Sequence, residues 1–170
     1  MKIKMFKHNK FIAIALSLGI SPSFSQSLCV KHEDVVFSFQ ENNSKKLASV
    51  CKGKESKYLV YRFGTAEKVE LEFPTLKDEN SWKKFEYSGQ RRGGGRLNAG
   101  FGDYTLSFKN GPAEYYVFQE WDDEQETYSI GINVQVSGKS KTLLGNRKTQ
   151  VGSLVLLESE NSRLQNIADK

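Results

Sequence analysis

The sequence predicts an all-β protein, an antiparallel meander of about eight or nine strands, closed as a small barrel or folded as a sandwich. Three observations point there. Apolar and polar residues alternate at period two in segment after segment from Val35 to Glu158. Clusters of turn-forming residues separate these segments by a few positions, and connections that short join antiparallel neighbours, because a parallel crossover needs about a dozen residues. Between them no segment carries an apolar stripe at helical period.

Taken in order, Val35, Phe37 and Phe39 share one face of a first strand, Val35 to Gln40, and Leu47 to Lys52 form the second. Pairing the two around Asn42-Asn43-Ser44 sets Cys51 opposite Val35. After Lys52-Gly53-Lys54 comes a strand with Leu59, Tyr61 and Phe63 on one face, then one in which Val69, Leu71 and Phe73 alternate with Lys68, Glu70 and Glu72. That alternation points Glu70 and Glu72 to solvent. Trp82 to Tyr87, Tyr104 to Lys109, Glu114 to Trp121 and Tyr128 to Val136 follow. The turns Asn110-Gly111-Pro112, Asp122-Asp123-Glu124-Gln125 and Ser137-Gly138-Lys139 bound the later ones, and Leu154 to Glu158 is the last strand. Within Glu114 to Trp121, Tyr115 and Trp121 share one face and Tyr116 and Phe118 the other, so both faces carry apolar weight, as in a central strand or an interface. The tail, Asn161 to Lys170, either forms a short helix with Leu164 and Ile167 on one side or frays.

Residues 1–25 read as a cleavable secretory signal and residues 26–170 as a single β domain. Lys2, Lys4, Lys7 and Lys10 precede the apolar run Phe11 to Ile20, and Ser21 to Ser25 supply small residues for a cut after Ser25 or after Ser27. The run is about half of the ~20 residues a membrane-spanning helix needs, which favours cleavage over a retained anchor. Leu28 stands where a lipid-attachment signal before Cys29 wants a small residue, which argues against lipidation. The expected location is the periplasm or the medium. The chain's formal charge is +5, but the signal holds four of its 25 basic residues and none of its 20 acidic ones. The remainder is close to neutral and gives no reason to expect nucleic acid or an anionic membrane as partner.

Cys29 and Cys51 are the only cysteines, and an even pair in an exported chain predicts a disulfide. It would pin the N-terminal arm onto the second strand and stabilise by about 3 kcal/mol. A zinc site takes about four ligands. With His32 the only histidine beyond the signal, no metal and no cofactor are expected.

Tyr58 to Gly64 (YLVYRFG) and Val69 to Pro74 (VELEFP), with Val36-Phe37-Ser38 and Ser49-Val50-Cys51 before them and Gly93-Gly94-Gly95 after, resemble a group of small exported bacterial β proteins. The resemblance spans about the first half of the predicted mature chain. It implies export and β structure and assigns no activity. That group has a cysteine where this chain has Phe39, so its disulfide arrangement differs. In size, export and strand content the chain is also similar to periplasmic lysozyme inhibitors, a likeness of fold alone.

Candidate chemistry concentrates in two stretches. Ser88 to Asp103 holds six glycines and three arginines, Arg91, Arg92 and Arg96. Glycine lets a backbone approach a ligand and arginine offers a planar fork for anions, so the stretch reads as an anion-binding or recognition loop, or else as a solubilising hairpin connection. It lacks the Lys-Ser/Thr ending of a phosphate-binding loop. Glu120 to Glu126 sets five acids around Trp121 without the Asp-x-Asp-x-Asp-Gly order of a calcium loop. It reads as a solvated turn, or as an acidic knob with Trp121 as interface anchor. No catalytic constellation is evident: His32 stands alone, bridged cysteines cannot attack, and Glu70 and Glu72 face solvent.

The expectation is therefore an exported, non-enzymatic binding protein, an inhibitor or immunity factor acting on another exported protein. Arg91, Arg92, Arg96 and Trp121 are its binding residues. The alternatives are a carrier of an anionic or apolar small molecule and, behind it, a carboxylate-dependent hydrolase. Composition leaves the oligomeric state open.

Overall fold

The computed structural model describes residues 26–166, so the predicted signal, residues 1–25, and the end of the tail lie outside the described residues. Each run of period-two alternation up to Phe73 becomes a strand: β1 (Glu33–Gln40), β2 (Leu47–Gly53), β3 (Leu59–Gly64) and β4 (Val69–Phe73) form one antiparallel meander. A second contains β5 (Glu86–Arg92), β6 (Phe101–Asn110), β7 (Ala113–Asp122), β8 (Thr127–Val136) and β9 (Lys139–Leu144). Two short strands extend them. β10 (Val151–Gly152) pairs with β1, and β11 (Gln165–Asn166) runs parallel to β5.

The sheets lie in the orders β10-β1-β2-β3-β4 and β11-β5-β6-β7-β8-β9, so the all-β meander takes the form of two facing sheets and not a closed barrel. One corner joins them. After β9 the chain crosses over, Gly145 bridging Glu41 and the Asn146 N–H donating to the Gln40 carbonyl at 2.8 Å. Phe37, Phe39, Val50, Leu59 and Tyr61 of the first sheet meet Tyr104, Leu106, Val117, Ile130 and Ile132 of the second in a common core. This apolar burial is the main source of stability.

β2 is buried on both faces because the N-terminal arm lies across its outer side. The Leu28 N–H donates to Ser49 Oγ, Ser38 Oγ donates to the Gln26 carbonyl, and Cys29 is bonded to Cys51 with Cα atoms 5.5 Å apart. The register sets Val35 opposite Cys51, as the hairpin reading requires.

Two predicted strands are corrected. Trp82 to Tyr87 divides: Glu79–Lys84 is a 3-10 helix, started by the Asp78 carboxylate accepting from the Asn80 N–H, and only Glu86 and Tyr87 enter β5. Leu154 to Glu158 belongs to a 3-10 helical segment, Leu154–Arg163, with the Ser153 hydroxyl at its start. Leu154 and Leu157 are the residues it buries, the spacing that a three-residue turn puts on one side. Conversely β9 was not predicted. Its sequence, Lys139-Ser140-Lys141-Thr142-Leu143-Leu144, is that of an edge strand whose charges discourage further pairing. The Ser137-Gly138 turn before it places both residues at positive φ, 50° and 76°, as a two-residue hairpin of matching twist requires.

A candidate binding surface at the hairpin tips

Register brings the two chemically unusual stretches together. β6 pairs with β7 along its whole length, from Phe101 opposite Asp122 to Asn110 opposite Ala113, so the connection before β6 and the turn after β7 emerge side by side. Much of the Gly/Arg stretch is strand, not loop: Gln90, Arg91 and Arg92 pair with Asp103, Gly102 and Phe101, leaving residues 93–100 as the connection. The Asp123 N–H donates to the Gly100 carbonyl at 2.9 Å. A Cβ on Gly100 would lie 2.4 Å from Asp123 Oδ2, so this glycine is what lets the acidic turn close against the basic one.

The three arginines have different surroundings. Arg91 Nη2 pairs with Glu158 Oε2 at 3.0 Å. Arg92 donates from Nε and Nη2 to the Ala99 carbonyl at 3.1 and 3.0 Å and lies over the Phe101 ring, bracing the loop from within. Arg96 is exposed, and beside it Leu97 is 92% exposed, the most exposed large apolar side chain among the described residues. Sequence reasoning passed over Leu97 because a single leucine in a polar loop carries no periodic signal.

Trp121 lies behind the tips, half-buried on the inner face of β7. Its ring occupies the space over Gly102, where a Cβ would approach it to 2.2 Å, and stacks on Tyr104 at 5.7 Å, which in turn stacks on Tyr87 at 6.3 Å. Tyr104 Oη donates to Glu158 Oε1, and burial, reinforced by that carboxylate, pushes its hydroxyl up to about 12. Trp121 also lines a cleft of about 460 Å³ together with Tyr128, Arg147, Asp122, Asp123 and Glu126. Arg147 stands 3.9 Å over the Tyr128 ring. Aromatic rings, a guanidinium and carboxylates lining one cleft can hold a charged side chain of either sign. Arg147 escaped sequence reasoning because it comes from the chain crossing after β9, remote in sequence from Trp121.

Gln119 fixes the cleft's inner wall. It is 4% exposed, accepts at Oε1 from Ser153 Oγ and the Leu154 N–H, and donates from Nε2 to the Tyr128 hydroxyl. Gln119→Leu strips the buried Leu154 N–H of its acceptor and is expected to cost about 1–3 kcal/mol. Urea denaturation followed by near-UV circular dichroism measures it, and an unchanged midpoint would mean that the contacts are replaced.

The carboxylates considered for hydrolysis are engaged elsewhere. Glu70 pairs with Lys46 at 2.7 Å, and Glu72 with Arg62 and Lys77, on the first sheet. His32 is exposed in the turn before β1. Among the described residues, Cys29, Glu33 and Cys51 are the one group of potential metal donors within mutual reach. Their chemistry does not suit a metal, since both sulfurs are spent in the disulfide and Glu33 is held by Arg62. No helix among the described residues is long and apolar enough to cross a membrane. Comparison with protein-family models, with curated proteins and with solved structures returned no significant match.

Proposed function

We propose that this is an exported, non-enzymatic binding protein that inserts the 93–100 tip into another exported protein, acting as an inhibitor or immunity factor. The observation that carries this reading is Leu97, an apolar side chain 92% exposed at the end of a loop braced by Arg92 and Asp123 and flanked by Arg96. A projecting apolar anchor on a rigid sheet is what recognition loops use, and bracing the loop beforehand lowers the entropy cost of docking. The disulfide is in keeping with an oxidising compartment. The adjoining Trp121 cleft offers a second foothold for a partner's charged side chain.

The test is capture of envelope and secreted proteins by the oxidised protein, with retained species identified by mass spectrometry. One stoichiometric partner is expected. Arg96→Ala with Leu97→Asp should weaken its capture about tenfold or more. Stability should stay within about 0.5 kcal/mol, because both positions are exposed. Undiminished capture would move the interface away from this tip, and a wild-type protein that retains nothing would count against the binding reading as a whole.

A further inference from the structure

At the far end of the second sheet from the tips, where β7 leaves the Gly111 turn, the two sheets part around a cleft of about 330 Å³. Its walls are Phe63 and Leu71 of the first sheet and Ile132, Val134 and Leu143 of the second. Tyr61, Tyr115 and the Glu70 carboxylate complete the lining, the two phenol rings flanking Phe108 with centroids 5.0 and 4.8 Å from it.

These two phenols differ from the other tyrosines of the inner face. Tyr87 donates to the Leu154 carbonyl, Tyr104 to Glu158 and Tyr128 to Gln150. Tyr61 is 1% exposed, yet among the described residues neither its hydroxyl nor that of Tyr115 has a hydrogen-bond partner. Asn161 Oδ1 is the one sealed-off side-chain polar atom without a partner among the described residues, so the Tyr61 hydroxyl opens onto the cleft it lines, where water or a ligand can accept from it. Burial, with Tyr115 nearby, keeps the Tyr61 hydroxyl protonated and so able to donate. At the rim Lys46 and Glu70 neutralise each other at 2.7 Å, which leaves no uncompensated charge to hold an ionised head group.

We infer that this cleft binds one uncharged, largely apolar small molecule bearing an oxygen acceptor, which takes hydrogen bonds from Tyr61 and Tyr115 while its hydrocarbon lies against Phe63, Leu71, Ile132 and Val134. The volume sits at the small end of the ligand-pocket range, enough for a short acyl chain or fused rings. The site is independent of the docking tip. Tyr115 and Trp121 are six residues apart on β7, about 20 Å along a strand.

The test uses Prodan, a neutral naphthalene ketone whose emission reports hydrogen bonding at its carbonyl, against dimethylaminonaphthalene, the same rings without the ketone. Prodan should bind the oxidised protein saturably at one site and more tightly than the control. Tyr61→Phe with Tyr115→Phe should weaken Prodan about tenfold and leave the control unchanged. Leu143→Trp, a substitution at a partly exposed rim position, should block both. Near-UV circular dichroism confirms folding, and if the double variant misfolds, Leu143→Trp alone decides whether the probe occupies this cleft. Absence of saturable binding, equal affinity for ketone and control, equal weakening of both by the double variant, or indifference to Leu143→Trp would each overturn the assignment.

Discussion

Arg62→Leu is expected to destabilise the fold by about 3–5 kcal/mol and to reverse the local response to acid. Arg62 projects from β3 into the layer beneath the N-terminal arm, its side chain only 4% exposed. Its Nη1 and Nη2 donate to the two carboxylate oxygens of Glu33, the latter at 3.0 Å, its Nε to Glu72 at 2.7 Å, and Nη1 also to the Leu28 carbonyl. The Glu33 side chain is shielded from solvent, and its carboxylate accepts further from the Val30 N–H and the Tyr58 hydroxyl. Removing the guanidinium therefore strands a buried carboxylate, which is far more damaging than losing an exposed ion pair.

The pH dependence separates this mechanism from simple loss of packing. Burial opposes ionisation of Glu33, but Arg62, the Val30 N–H and Tyr58 together outweigh it and hold the carboxyl below its ordinary range. A carboxyl lowered on folding stabilises the native state above its unfolded pKa of about 4.3, and that contribution is lost as pH falls through the lowered folded value. In the leucine variant burial remains without the guanidinium, so the folded pKa rises above the unfolded one, and stability is lost as pH rises past about 4.3. Urea unfolding at pH 5 and pH 7 should find the variant more stable at the lower pH, with no such gain in the wild type. Parallel behaviour of the two proteins would show that Glu33 does not depend on Arg62.

What the sequence made legible follows from where the physics is local. Alternation marks strands such as β3 and β4 by the face that meets the shared core, Leu59, Tyr61 and Phe63 inward with Glu70 and Glu72 outward on the next strand, although Val60 and Arg62 on the other face of β3 are buried as well. The hairpin reading of β1 and β2 fixed the position of Cys51 because turn and pattern agreed. The misread segments obey non-local forces. Leu154 and Leu157 are buried because a 3-10 segment closes one end of the core, where Tyr87 and Gln119 reach its backbone. In β9, Lys139 and Lys141 mask a strand that exists only through pairing with β8.

The candidate sites show the same limit. Arg91, Arg92, Arg96 and Trp121 stood out by residue type, but the division of labour among the arginines depends on Glu158, Ala99 and Phe101, which register alone brings near. Tyr61 reads as core and Tyr115 as core or interface, because whether a phenol finds a partner is decided by the facing sheet.

Loss of the disulfide is the second large effect. Cys29→Ser with Cys51→Ser should cost about 3 kcal/mol, the loop-closure entropy of a bridge spanning 22 residues. The consequence reaches beyond the loop, because the arm that Cys29 anchors roofs the Arg62–Glu33 pair through the Leu28 carbonyl and covers Ser49 and Cys51 on β2. Once the arm can lift, water reaches a buried ion pair whose partners are then held less firmly. The serine pair and Arg62→Leu should therefore be non-additive by more than about 0.5 kcal/mol in a double-mutant cycle. Reduction of the wild type with dithiothreitol should shift the urea midpoint as the serine variant does. A reduced protein that keeps its midpoint would mean that the arm's hydrogen bonds suffice without the bridge. The tips lie on the other sheet, so below the lowered melting temperature the reduced protein should still capture its partner through Leu97, and loss of capture on reduction alone would place the arm in the interface.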